Sequence, residues 1–183
     1  MFSEFIASRI SALNQLSDYH HNIDAIGDIL VGTLEVGGKV ITCGNGGSEA
    51  NHLTTELMGR FLQSRPSIPS VCLSANCDVL TCLGNDYGFE NIFSRQLRGI
   101  GAANDIFIAF TTSGNSENVR LALEEAKEMG LWSVAVLGKD GGKCRGLANQ
   151  EIILPSQETA IIQEMSLGLI HYWCGMIDKD VAK

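Results

Sequence analysis

Five short, almost continuously apolar runs constrain this chain more than any other feature. They lie near residues 39–43, 70–74, 105–111, 132–137 and 151–154. Their apolar positions do not alternate with polar ones, so each run has to bury both of its faces. Stretches with helical spacing separate them, near 48–63, 89–100 and 116–129, with a short turn around 142–147 and a last helix over about 158–180. Strands buried on both faces and joined by helices require a parallel sheet covered above and below. The predicted fold is a doubly wound α/β/α sandwich of about five strands. Residues 2–36 precede it as a helical region, with Phe5, Ile6, Ile10, Leu13 and Leu16 at helical spacing and Gly37-Gly38 as its stop. At 183 residues the whole chain reads as one domain, with 37–183 forming the α/β core and closing helix.

In such a fold, ligands sit beyond the carboxyl ends of the strands. Two loops at that edge stand out. Asp105-Ile106-Phe107-Ile108-Ala109-Phe110 runs into Thr111-Thr112-Ser113-Gly114-Asn115-Ser116, which opens a helix. Lys39-Val40-Ile41-Thr42 runs into Cys43-Gly44-Asn45-Gly46-Gly47-Ser48, which opens another. Hydroxyls and glycines at a helix start put donors where backbone N–H groups have no partner. Such a place holds a phosphate without Lys or Arg. One such turn is as well explained by an ordinary Ser N-cap. Two point to a small phosphorylated ligand gripped from both sides.

Charge narrows the partners. Thirteen basic and 21 acidic residues give a net charge of -8, the wrong sign for tracking nucleic-acid phosphates. A local nest of N–H groups can still hold a small anion in a diffuse negative field. No basic stretch followed by an apolar one opens the chain, and no run approaches the roughly 18 apolar residues of a membrane span. The six cysteines (Cys43, Cys72, Cys77, Cys82, Cys144 and Cys174) lack metal-knuckle spacing and read as reduced thiols of a cytoplasmic protein.

His52 and Glu56 stand i, i+4 on the helix after the first loop and so share a face. Such a pair is equally at home on a surface or in a satisfied core. Beside a phosphosugar loop, an imidazole and a carboxylate are also what aldose–ketose isomerisation needs: one removes the proton α to the carbonyl, the other moves protons between the oxygens. Gln163 and His171, in the last helix, add an amide and a second imidazole.

The four segments Cys43–Ser48, Gly84-Asn85-Asp86-Tyr87-Gly88-Phe89, Thr112–Ser116 and Gly138-Lys139-Asp140-Gly141-Gly142-Lys143 occur in an order that resembles the phosphoheptose isomerases. These are sugar-isomerase (SIS) domain enzymes that feed heptose synthesis for bacterial surface polysaccharide (lipopolysaccharide or capsule). The likeness spans nearly the whole chain and implies a flavodoxin-like sheet. It also implies conversion of sedoheptulose 7-phosphate to D-glycero-D-manno-heptose 7-phosphate through an enediol. His52, Glu56, Gln163 and His171 match positions that bind a divalent metal there, often zinc, which implies one ion per subunit. Glu56 and His171 match the general base and acid. Asn45, Gly46, Gly47, Ser48, Glu56, Asn85, Asp86, Thr111, Thr112, Ser113, Ser116 and Gln163 match substrate contacts, with Arg60 as a further candidate. A non-catalytic sugar-phosphate-binding regulator of the replication-initiator-associated type, or an isomerase of another ketose phosphate, would share much of this pattern.

The chain also departs from the family pattern. It is two residues shorter between Ser48 and His52, has Ala160-Ile161 in place of an Asp-Arg pair, Ser166 in place of a His, and Thr111 in place of the more usual Ser. Gln163 and His171 are offset by about 12 Å along one straight helix. Either that helix is irregular, or a second chain completes the site. Family resemblance implies a homotetramer with sites at subunit boundaries; Trp173 and Met176 look exposed enough to help form that contact, and core packing inside one chain accounts for them equally well.

Overall fold

The computed structural model describes residues 1–46 and 48–181, with only the backbone of Ser48 and Val181. Five strands form one sheet: β1 (Val40–Gly44), β2 (Ser70–Cys72), β3 (Ile106–Thr111), β4 (Trp132–Leu137) and β5 (Gln150–Ile153). Every pairing is parallel, and the spatial order is β2-β1-β3-β4-β5. That is the flavodoxin-like arrangement expected. Strand order reverses beside β1 and β3, so a crevice opens at their carboxyl ends, where both glycine loops emerge.

The central strands β1 and β3 are buried at every position, as their unbroken apolar runs require. Their two faces feed two separate cores. Val40, Ile106, Ile108 and Val134 pack under α2 (His20–Glu35), α3 (Ser48–Met58) and α7 (Thr159–Val181). Ile41, Phe107, Ala109 and Ala135 pack under α4 (Cys77–Tyr87), α5 (Ile92–Ile100) and α6 (Glu117–Glu128). Ahead of these, α1 (Phe2–Gln15) is joined to α2 by a 3-10 turn at Leu16–Tyr19.

Two elements differ from the sequence reading. The first helix of the α/β core ends at Met58, not near 63, because Gly59 closes it and the chain turns back toward Arg65. A whole helix, α4, occupies a stretch with no predicted element. Its signal was a local one: Asn76 caps it, its side chain accepting the N–H groups of Asp78 and Val79, with Asp78 in the first turn. Asn85 and Asp86 therefore stand on a helix rather than in a loop.

Trp173 is not exposed. Its ring lies in the core between α2 and α7, and its indole N–H donates to the carbonyl of Ile23 at 3.0 Å. A buried indole needs that acceptor, and α2 supplies it. Met176 is half-buried, its sulfur against Gly27. The exposed apolar stripe lies instead on α1, along Phe2, Phe5, Ile6, Ile10 and Leu13.

Candidate active site

The crevice at the switch point is walled by Gly44 and Asn45 after β1, by Thr111, Thr112 and Ser116 after β3, and by Glu49, Gln163 and Ser166 from the first turns of α3 and α7. None of its lining residues is Lys or Arg. Any anion here would be held by N–H groups, hydroxyls and the dipole of α6.

Ser116 occupies the N-cap position of α6 yet makes no side-chain capping bond. Its hydroxyl lies 3.2 Å from that of Thr111 instead, at the crevice wall. The plain N-cap explanation for this residue is thereby set aside. Ser113 does act as a turn residue, its Oγ accepting the N–H of Asn115 at 3.1 Å. Asn115 anchors the turn to the 138–142 loop by accepting the N–H of Lys143, and the Gly114 carbonyl accepts that of Cys144. Glu117, in the first turn of α6, is bonded by Arg120, which holds its carboxyl below the usual range.

The first loop is tied to the second. Asn45 and Asn118 exchange two amide hydrogen bonds, at 2.9 and 2.8 Å, and Asn118 is almost fully buried. Asn45 thus reaches the crevice with its amide orientation fixed. Gly46 sits in the exposed loop beyond it. Gly47 and the Ser48 side chain lie outside the described residues.

On the next turn of α3 the titratable groups gather. His52 Nε2 is 3.1 Å from His171 Nε2 and 3.4 Å from Glu56 Oε1. The His171 ring stacks on Phe61, centroids 5.4 Å apart, which fixes its plane. Glu56 is only 20% exposed and His52 37%. Helix α7 runs regularly from Thr159 to Val181, so an irregularity near Gln163 is not how Gln163 and His171 share a site. Gln163 does line both the crevice at the switch point and the adjoining hollow that contains His52. Glu49, to which the sequence pattern assigns no role, lines both as well. Its signal was its place one turn before His52 on the same helix.

Six expected contacts among the described residues are not part of the crevice lining: Gly46 in the exposed loop, Glu56 beside His52, and four more. Asn85 and Asp86 are exposed on α4 and bonded to each other. Arg60, just past α3, is exposed and makes no ion pair among the described residues. Ser113, though in the turn after β3, spends its oxygen on the turn itself.

The donor set fits a divalent ion of borderline softness: two imidazoles, a carboxylate and an amide. Ligands about 2.0–2.1 Å from a tetrahedral centre stand roughly 3.3 Å from one another. The spacings of 3.1 and 3.4 Å around His52 are close to that. Among the described residues, no three His, Cys, Asp or Glu side chains close on a single point, so Glu56 or the Gln163 amide would have to move in to complete the set.

Residues 4–138 match the SIS domain family. A phosphoheptose isomerase of Akkermansia muciniphila is 38% identical over 185 residues, 98% of each chain. The chain belongs to the phosphoheptose isomerases. Solved structures of family members agree: the phosphoheptose isomerase from Francisella tularensis superposes with a TM-score of 0.92 at 34% identity, covering 97% of this chain and 96% of that one. The enzyme from Neisseria gonorrhoeae gives 0.87 at 33% identity, covering 97% of both. The chain thus keeps the phosphoheptose isomerase fold over nearly its whole length.

Proposed function

We propose that this chain interconverts sedoheptulose 7-phosphate and D-glycero-D-manno-heptose 7-phosphate, a step toward bacterial surface heptose. The observation that carries the reading is His52, 3.1 Å from His171 and 3.4 Å from Glu56, adjoining a crevice walled by hydroxyls and a helix start. The phosphate would lie against Thr111, Thr112, Ser116 and the first turn of α6, with Asn45 closing the other side; the family resemblance assigns Ser48 to it as well. The sugar would then extend past Glu49 and Gln163 toward Glu56 and His171.

At that end, Glu56 takes the proton from C1 of the ketose, and the electron pair left behind forms the C1–C2 double bond as the C2 oxygen gains a proton. The result is a cis-enediol. His171 moves protons between the two oxygens, and Glu56 returns its proton to C2, leaving an aldehyde at C1. No oxidant or reductant is needed. A divalent ion, zinc by its ligand set, would be held by His52, Glu56, Gln163 and His171. It would stabilise negative charge developing on the sugar oxygens.

What supports a site completed by a second copy is the solvent-facing stripe of α1 and the distance of Arg60, Asn85 and Asp86 from the crevice lining. A homotetramer is the assembly the family resemblance favours. No helix among the described residues is long and apolar enough to cross a membrane, and the proposed location is the cytoplasm.

The test is to incubate the purified protein with sedoheptulose 7-phosphate and follow the aldehyde carbon by NMR. Aldose should appear, and Glu56→Gln should cut turnover by about 10²-fold or more with the fold intact. No aldose from the parent protein would refute the assignment. Metal analysis of protein purified without chelator should find a divalent ion that His52→Ala diminishes, and light scattering should show a tetramer.

A further inference from the structure

A second polar assembly joins α3 and α7 away from the crevice. Asp178 lies on α7 two turns beyond His171, on the same side of the helix. Its Oδ2 accepts the N–H groups of Leu62 and Gln63 at 2.9 and 3.1 Å, and its Oδ1 accepts Arg65 Nε at 2.8 Å. Both side chains are buried, Arg65 4% and Asp178 2% exposed. The rest of the guanidinium faces the end of α3: Nη2 donates to the carbonyl of Glu56 and Nη1 to that of Leu57, each at 2.8 Å. These are last-turn carbonyls, which have no partner within their own helix.

One arginine therefore caps α3 through the backbone of the residue whose carboxylate enters the reacting cluster, and is itself fastened to the helix that carries His171. Helix α7 is tied to α3 through polar groups at two levels: His171 to His52 on the helix itself, and two turns on along α7, Asp178 to Arg65, the loop residue that caps the end of α3. Two such attachments fix the axial slide and rotation of one helix against the other. Apolar packing alone would hold the helices together without specifying that register. Burying an ion pair gains little net stability, so its value here is geometric.

We propose that Arg65 and Asp178 are a positioning pair that sets the placement of Glu56 relative to His171. The proposal rests on the assignment of those two residues as base and acid. Misplacing a reacting group by about 1 Å can cost on the order of 10²-fold in rate. The phosphate turn hangs from β3 and α6, which neither residue touches, so substrate capture should be spared.

The decisive variant is the double replacement Arg65→Met with Asp178→Leu, which removes both charges and refills the space. It should fold with a melting temperature near the parent's. Its kcat should fall roughly 10- to 100-fold, and KM for sedoheptulose 7-phosphate should stay within about twofold. The imidazole NMR signals of His52 and His171 should move, with those of His20 and His21, at the α1–α2 junction, as fixed references. A folded double variant with parental kcat and unmoved His52 and His171 signals would overturn the proposal. If that variant does not fold, Arg65→Lys decides. It keeps a charge for Asp178, but its three donors radiate from one nitrogen and do not reproduce the spread of the guanidinium, whose Nε, Nη1 and Nη2 meet Asp178, Leu57 and Glu56 separately. The same loss of kcat supports the proposal, and parental kcat refutes it. Should the parent protein show no isomerase activity, the histidine signals still report whether the pair sets the cluster's geometry.

Discussion

Replacing Gly114 by Ala tests the close approach on which the phosphate turn depends. Gly114 has φ +66, in the left-handed region, and a Cβ there would lie 2.2 Å from the Gly141 carbonyl oxygen and 2.7 Å from the Gly142 nitrogen. Two costs follow. The left-handed backbone costs an L-residue about 1–2 kcal/mol. The collision is with backbone rather than a flexible side-chain tip, so the 138–142 loop has to retreat, an overpacking cost of about 1–3 kcal/mol. Gly130 provides the control: its φ is +69, but no heavy atom lies within 4 Å of a built Cβ. Gly130→Ala should lose only the conformational part. In urea denaturation, Gly114→Ala should be less stable than Gly130→Ala by about 1–3 kcal/mol. For a chain of this size each kcal/mol lowers the melting temperature by about 2–4 °C. Retreat of the loop also distorts the turn that would hold phosphate, so KM for sedoheptulose 7-phosphate should rise about tenfold, equivalent to about 1.4 kcal/mol. Gly130→Ala should leave KM unchanged. Equal stability loss in the two variants, with KM unmoved in both, would refute the packing of the 138–142 loop against the phosphate turn.

Other outcomes are expected. Ser116→Ala removes a hydroxyl that has no capping duty, so it should weaken substrate binding by about 1–2 kcal/mol with little change in melting temperature. Asp178 is raised by burial but brought lower still by Arg65 and the N–H groups of Gln63 and Leu62, leaving its carboxyl below the ordinary value of 3.8. Its stabilising contribution is complete above that value and lost as pH falls through the lower folded value. Urea midpoints measured between pH 2 and 6 should therefore show a steeper acid-side decline in the parent than in Asp178→Asn. Burial pushes the thiol of Cys174 up to about 12 and that of Cys144 to about 11, and raises Cys43 as well, while Cys77 and Cys82 are exposed on α4. A thiol-reactive dye at pH 8 should label two cysteines quickly and the remaining four only on unfolding.

Sequence alone determined the sheet and where its ligand edge lies. Runs such as Ile106–Phe110 have no polar alternation, and only a doubly covered parallel strand satisfies them; the strand–Gly–helix junctions then mark the carboxyl edge. It also placed His52 and Glu56 on one face, because helical spacing is a local property. It could not separate roles within the hydroxyl-rich turn. Ser113 bonds the turn and Ser116 faces the crevice, a division that depends on backbone dihedrals and on how Asn115 and the 138–142 loop pack. Nor could it find α4, whose weak apolar face was masked by the Gly84-Asn85-Asp86 segment it contains. The largest gaps concern contacts far apart in the chain. Trp173 looks exposed until Ile23, 150 residues away, supplies its acceptor. His52 meets His171 across 119 residues, and Arg65 meets Asp178 across 113. Local pattern reports which face of a helix is apolar. Which helix that face meets, and at what axial register, is decided only when the two cores close on either side of the sheet, because many residues then have to fit at once.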